Sequence, residues 1–447
     1  MINPKKLAIA YIGGGSRGWA WGLMSDLAME PELGGEVRLN DIDQEAARDN
    51  AIIGNRLKER GDATGFWTYR AVGSLKEALT GADFVVISIL PGTFDEMASD
   101  IHTPEKYGIY QAVADSVGPG GIVRALRTIP VYVEIAQAIR DFSPGAWVIN
   151  YTNPMTLCTR TLYAVFPEIK AFGCCHEVFS AQNLMKAALL EEGIAIEHRV
   201  DISINVLGIN HFTWIDAASY QGMDVMPVFR NFARKYKDSG FNEIHYKVTF
   251  DLFLRYGVCP AAGDRHLAEF CPGKWYLNNP EPMKRWGFRL TPISHRTEDL
   301  AERLERAARL RSGAEDLALA ESGEEGVRQM KALVGLGDFV TNVNLPNRGQ
   351  MSDMPPDAVV ETNALFTRDS VRPLLAGRLP DPVHGMVAGH ISNQEAVLAA
   401  ALMGDPEMAF TAFISDPLVT IGLSDARELF TLMLRNTQKY LPEAFRV

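Results

Sequence analysis

Short apolar runs alternating with helical stretches set the rhythm of the first two hundred residues. A strand is expected over 6–12, followed by a Gly-rich turn and a helical stretch to about Met29. Further strands are expected over 36–40, 82–90, 147–150 and 169–172, with helices over 46–60 and 122–141. Strands alternating with helices predict a parallel, doubly wound sheet. Near Val200 the rhythm changes. Residues 201–207 and 213–217 alternate polar and apolar positions, the pattern of antiparallel strands with one covered face. Residues 298–333, rich in Ala, Leu, Glu and Arg, predict amphipathic helix. Residues 344–356 read as loop, and 392–403 and 424–441 as terminal helices, the second with Ser424 at its N-cap. The expected fold is α/β: a Rossmann-like domain with a doubly wound parallel sheet over 1–199, then an α+β domain with antiparallel strands and helices over 200–447. No repeat or Gly/Ser linker separates them, so the halves are expected to pack directly on each other.

A chain of 447 residues has room for two or three domains. Its net charge of −11 and the lack of a basic stripe speak against nucleic acid, while leaving room for an anionic small molecule in a local basic pocket. The longest apolar runs are too short to cross a bilayer, and the N-terminus lacks the apolar core and cleavage site of a signal peptide. Five cysteines, an odd and sparse set, read as reduced thiols. A cytoplasmic protein with no membrane partner is therefore expected. Any one of these cysteines taken alone fits a small buried apolar residue.

The first chemical signal is Gly13-Gly14-Gly15-Ser16-Arg17-Gly18, which leaves a strand and opens a helix. Gly13, Gly15 and Gly18 have the spacing of a dinucleotide-binding turn, and Asp41, at the end of the second strand, is placed to take ribose hydroxyls. A carboxylate there favours NAD over its 2′-phosphorylated form. Asp43 is the fallback for Asp41, and a plain turn is the alternative for the glycines.

A second signal lies in Phe172-Gly-Cys-Cys-His-Glu-Val-Phe179. Cys175 and His211, each at the end of a strand-like segment, are a thiolate and an imidazole suited to a divalent transition metal. Alone, each reads equally as a buried structural residue. His176 and Glu177 are substrate contacts, proton carriers or caps of a helix expected near Ser180. Asn153, in the turn after the strand 147–150, sits where open parallel sheets bind ligands. Asp115, in a Gly-rich loop, is an active-site acid or a cap. Asp264, Arg265 and His266 place an acid, a guanidinium and an imidazole side by side, with surface ion pairing as the alternative.

Together these pieces resemble the family 4 glycoside hydrolases. The resemblance runs through Gly13-Gly-Gly-Ser16, Asp115-Ser-Val-Gly-Pro-Gly-Gly121, Asn150-Tyr-Thr-Asn-Pro154, Cys175-His-Glu-Val178, Gly208-Ile-Asn-His211 and Asn344-Leu-Pro-Asn-Arg-Gly349. The Cys-His-Glu-Val form is similar to the α-galacturonidase subgroup. The resemblance implies an NAD- and Mn²⁺-dependent glycosidase acting on pectin-derived α-galacturonides, with α-glucuronidase or α-galactosidase as alternatives within the family. Gly13, Gly14, Gly15, Ser16 and Asp41 would bind NAD, Cys175 and His211 would ligate Mn²⁺, and Asn153 would hold sugar hydroxyls. Asp115 would lie near metal and sugar, and Asp264 matches the position of the base that takes the C2 proton. Arg265, His266 or both would meet the uronate carboxylate, with His176 as a second contact or proton relay and Glu177 bearing on which sugar is accepted. The implied chemistry is oxidation at C3, deprotonation at C2, cleavage of the C1–O bond, addition of water and return of the hydride, an exception to the two-carboxylate scheme. The resemblance also implies a homodimer or homotetramer. A plain NAD-dependent dehydrogenase and a non-catalytic dinucleotide sensor remain as readings from other classes.

Overall fold

A computed structural model of the chain describes residues 3–242, 245–273, 275–279, 285–288, 290 and 293–447. Thirteen strands are formed among them: β1 (Leu7–Ile12), β2 (Gly34–Asn40), β3 (Phe66–Val72), β4 (Phe84–Ile87), β5 (Trp147–Asn150), β6 (Lys170–Gly173), β7 (Ser203–Ile209), β8 (Phe212–Tyr220), β9 (Met223–Asp224), β10 (Cys259–Pro260), β11 (Phe339–Pro346), β12 (Val359–Thr367) and β13 (Ser370–Pro373). Nine of them make one sheet in the order β13-β12-β11-β6-β5-β4-β1-β2-β3. From β3 to β6 every pairing is parallel.

The central strands β1, β4 and β5 are buried on both faces, which is why they read as nearly unbroken apolar runs. In β1, Leu7, Ile9 and Tyr11 enter one core and Ala10 and Ile12 the other, as the period of two requires. The parallel order 3-2-1-4-5-6 is that of a doubly wound dinucleotide fold. It brings the ends of β1, β5 and β6 to one edge, so the glycine turn, the Asn150–Pro154 turn and Cys175 share one side of the molecule.

The second half of the chain contributes to this same sheet. β11 pairs antiparallel with β6 through Asn344 and Gly173, and β12 and β13 follow antiparallel. β7 and β8 form the expected antiparallel pair, inside a separate four-stranded sheet with β9 and β10. Among the described residues no helix is long and apolar enough to cross a membrane.

Several expected boundaries move. Residues 344–346 end a strand; its buried Thr341, Asn342 and Asn344, each donating to a side-chain partner, hide the strand pattern. The edge strand β3 was missed because alternate residues face solvent. The stretch 298–333 is two helices, Ile293–Ser312 and Gly326–Leu333, parted by a non-helical segment with Gly313 and Gly323 at positive φ. The helix expected over 122–141 begins at Gly118, that over 392–403 begins at Asp381, and the last runs Leu423–Thr437 with Gly422, not Ser424, as N-cap. In the first two cases a proline at the opening turn, where its missing N–H costs nothing, extends the helix forward.

Candidate active site

At one end of a cleft of about 890 Å³ lie Gly13, Gly15, Ser16 and Asp41; at the other lie Asp115, Tyr151 and Asn153. Gly13 has φ +93°, and a Cβ there would meet the Ser88 carbonyl oxygen at 2.0 Å. A Cβ on Gly14 would press on Leu39, and one on Gly15 on Ala46 and on the Asp41 carboxylate. These approaches let Asp41 accept the Gly15 N–H at 2.8 Å and the Asp43 N–H at 2.9 Å. Asp43 instead caps the helix Gln44–Leu57 by accepting from Ala46 at 3.0 Å. Ile42, on the cleft rim, is fully exposed, an apolar platform of the kind a flat base packs on.

Four chain segments build the other end. Asp115 lies on a loop whose backbone is held by the buried carboxylate of Glu269, which accepts from the N–H groups of Val113 and Ala114. His211 is the second residue of the tight turn joining β7 to β8, where it takes φ +63°, an uncommon conformation for a residue with a side chain. His266 comes from the helix Asp264–Phe270 and stacks on His211, with ring centroids 3.8 Å apart. One ligand atom from each of Asp115, His211 and His266 falls within 4.8 Å of the others. Glu177 opens the helix Glu177–Glu191 and accepts the Gly263 N–H, tying the cysteine segment to the His266 segment.

Hydrogen bonding fixes the imidazole of His211. Ser116 Oγ donates to Asp115 Oδ1 at 2.8 Å and lies 3.0 Å from His211 Nδ1. With its one proton given to Asp115, the hydroxyl receives the proton of Nδ1, and Nε2 keeps its lone pair, the arrangement used by metal-binding histidines. Burial, and then the charge of His266, lower His211 to about 4. Burial also opposes charge on His266, yet Asp115 and Glu177, 3.8 and 3.6 Å away, raise it to about 10. The two carboxylates fall below their usual range despite burial, because His266 lies between them.

The remaining predicted residues divide. Asn153 donates to Asp115 Oδ2 at 3.1 Å, and its Oδ1 is buried without a partner. Cys175 is buried and feels Glu361 and Glu177; burial first, then these two acids, push its thiol well up. Its side chain is linked to Asn210, the residue before His211, so it adjoins the cluster. Cys174 faces Gln329 and plays no part there. His176 turns to Glu324, 2.6 Å away, which raises it; it precedes a helix that starts at Glu177 rather than near Ser180, and its side chain does not cap that helix. Asp264 is not brought to the cluster: its oxygens accept from the N–H groups of Val248 and Thr249 and from the Thr249 hydroxyl, capping the helix Lys247–Tyr256. Arg265 donates to the Ala112 carbonyl at 2.9 Å.

Sequence reasoning missed Glu269, Glu324, Arg124 and Glu361. Glu361, on β12, accepts from Thr213 and Asn342 at 2.7 Å each. Isolated acids carry no spacing signal; the one available hint was the polar run Thr341, Asn342, Asn344 inside an apolar strand.

A buried acid–imidazole cluster with unpartnered polar atoms, set at the end of a dinucleotide-type cleft, is the arrangement of a cofactor-assisted enzyme. Comparison with known proteins decides its class. The model of the family 4 glycosyl hydrolases matches residues 8–191, and that of their C-terminal domain matches residues 206–419. The chain belongs to this family. It is 61% identical to an α-galacturonidase of Thermoanaerobacterium saccharolyticum, covering 97% of this chain and 96% of that one. It is 53% identical to an α-galacturonidase of Bacillus subtilis, covering 96% and 97%. A solved Bacillus subtilis protein described as a glucosidase superposes with a TM-score of 0.92 at 53% identity, over 96% of this chain and all of that one. The 6-phospho-β-glucosidase of Thermotoga maritima, solved with manganese, NAD⁺ and glucose 6-phosphate, shares the fold at a TM-score of 0.78 and 20% identity, over 97% and 99% of the chains.

Proposed function

We propose that this family 4 member is an α-galacturonidase that frees galacturonate from short α-galacturonides with the help of NAD⁺ and Mn²⁺. The observation that carries the proposal is the Asp115, His211, His266 and Glu177 cluster at the far end of the Gly13–Asp41 cleft. The substrate rests on the two α-galacturonidases that match along almost the whole chain.

The residues present fit both groups. For NAD⁺, the glycine positions leave no room for a Cβ, and a carboxylate stands at the end of β2. For Mn²⁺, Asp115, His211 and His266 bring ligand atoms within 4.8 Å of one another, His211 with an open Nε2, and Cys175, which adjoins them through Asn210, would add the thiol of a set suited to a borderline cation. When bound, NAD⁺ supplies a reversible hydride acceptor and Mn²⁺ a Lewis acid that stabilises negative charge on sugar oxygens.

The chain's own residues do the rest. Asn153 keeps a buried, unpartnered Oδ1 for a sugar hydroxyl while Asp115 fixes its amide. Glu177 and His266 form a rigid charged wall for the sugar. The His176–Glu324 pair, half-exposed, is a proton relay toward solvent. Asp264, with both oxygens engaged at the start of the helix Lys247–Tyr256, stands apart from this cluster and is not proposed as the acceptor of the C2 proton.

The test is release of galacturonate from an α-galacturonide with NAD⁺ and Mn²⁺ added singly and together. Release only with both supports the proposal. Turnover of α-glucuronides and not of α-galacturonides overturns the substrate, and stoichiometric NADH formation overturns the reaction.

A further inference from the structure

Three arginines near the sugar end of the cleft present buried Nε–H groups with no acceptor among the described residues: Arg124, Arg265 and Arg296. Arg124 stands on the helix Gly118–Phe142, is 92% buried, and lines the cleft beside Asp115 and Asn153. Arg296, in the first turn of the helix Ile293–Ser312, lines the cleft from the opposite side and is half-buried. Arg265 approaches from the Asp264–Phe270 helix, anchored by one N–H on Ala112.

A paired arginine in the same cleft gives the contrast. Arg127, one turn beyond Arg124, sends both terminal nitrogens to the buried Asp100 carboxylate and its Nε to the Pro91 carbonyl at 3.1 Å. It is fully used inside the protein. Arg124 is buried to a similar degree and has no such partner. Burial, opposed by Asp115, lowers the guanidinium of Arg124, and Arg296 adds to the lowering of both Arg124 and Arg265. The acids that face these two are already engaged: Asp115 by His266, Ser116 and Asn153, Asp100 by Arg127, Glu177 by His266 and the Gly263 N–H, and Glu269 by the N–H groups of Val113 and Ala114. Guanidiniums desolvated next to one another without a counter-ion are unfavourable unless an anion arrives.

We propose that Arg124 and Arg296, backed by Arg265, are the seat for the carboxylate of the sugar unit and set the preference for a uronide over a neutral sugar. The proposal rests on the uronide reading above and extends it to two residues on different helices. A carboxylate is planar with two oxygens, and the guanidinium fork matches that geometry. The pyrophosphate of a dinucleotide is served at the Gly13–Ser16 end, where a helix N-terminus and glycine backbone are available.

The experiment compares wild type, Arg296→Gln and Arg124→Gln, all with NAD⁺ and Mn²⁺, on an α-galacturonide and on the matching α-galactoside, with Kd for NAD⁺ measured alongside. Arg296→Gln alters a half-exposed side chain and should keep the wild-type Tm; Arg124→Lys is the companion should Arg124→Gln not fold. The expected result is a rise of about 10- to 100-fold in KM for the galacturonide, the loss of one charge-assisted hydrogen bond, with the galactoside and NAD⁺ values within about threefold of wild type. A weakened NAD⁺ affinity assigns the arginines to the dinucleotide and overturns the proposal, as does an equal loss on both sugars. A binding titration separates this proposal from the one it rests on. If wild type turns over no galacturonide yet binds galacturonate at least tenfold more tightly than galactose, and Arg296→Gln abolishes that preference, the seat stands while the reaction falls. Absence of that preference, or tighter binding of inorganic phosphate than of galacturonate, overturns the seat.

Discussion

At the nucleotide end of the cleft, consecutive glycines meet the carboxylate of Asp41, 26 residues from Gly15, and the contacts run mostly through backbone. At the sugar end, Asp115, Glu177, His211 and His266 arrive from four distant segments and meet through buried charge. The first end needs small residues and one acid, and it asks little of the rest of the protein. The second must desolvate two carboxylates and two imidazoles, a cost recovered only where the charges face one another. It also holds His211 at φ +63° and Ala114 at φ +58°, conformations that cost about 1–3 kcal/mol each. The nucleotide end is therefore easy to keep and the sugar end easy to break, and the two should fail independently.

Substitution at the proposed metal ligands should give the largest separation. Cys175→Ser and His211→Ala should each lower kcat/KM for a galacturonide by about 10³-fold or more, as loss of a Lewis acid would, with Kd for NAD⁺ unchanged. Steady-state rates and a fluorescence titration of NAD⁺ would check this, and surviving activity in Cys175→Ser would remove Cys175 from the ligand set.

Asp264→Asn comes next, as a test of the helix end at Lys247–Tyr256, where burial pushes the Asp264 carboxyl up to about 6. A carboxyl raised in the folded state holds its proton more tightly there, so its contribution is full below about 4 and is lost as pH rises through about 6. Wild type should therefore lose Tm relative to Asp264→Asn between those values. A pH slope in Tm with kcat unchanged is the result expected of a helix-capping acid; a loss of about 100-fold or more in kcat would bring Asp264 into the reaction.

Asp41→Ala should weaken NAD⁺ about tenfold, the share of a hydrogen bond to a charged group, and excess NAD⁺ should restore the rate on the sugar. Asp43→Ala, the smallest change, should cost about 1 kcal/mol of stability as a lost N-cap and leave Kd for NAD⁺ near wild type. A reversal between these two variants, read by chemical denaturation and NAD⁺ titration, would exchange their roles.

The same contrast explains what could be read from sequence. The central parallel strands were visible because burial on both faces favours apolar residues, as in Phe84–Ile87, while the half-exposed edge strand β3 was not. Strand β11 was not, since its buried Thr341, Asn342 and Asn344 serve Glu325, Cys175, Glu361 and Met155 as hydrogen-bond partners. At the site, the glycine turn declared itself by spacing along one segment. The cluster did not, because His211 and His266 are 55 positions apart in the chain and stack only once β8 and the Asp264–Phe270 helix are packed. In the segment 263–266 the acid drew attention, while the geometry places the imidazole of His266 in the cluster and turns Asp264 to a helix end. Glu269, which fixes the Asp115 loop from 155 residues away, had no local signature at all.

The central claim is that the two ends act on one sugar, with the dinucleotide recycled within each turnover. It is tested most directly by running the reaction in deuterated water with limiting NAD⁺ and counting galacturonate released per NAD⁺, with deuterium at C2 of the product read by mass spectrometry. Many turnovers per NAD⁺, deuterium at C2 and no net NADH are predicted. One NADH per sugar, or hydrolysis with no deuterium at C2 and no need for NAD⁺, would contradict the account.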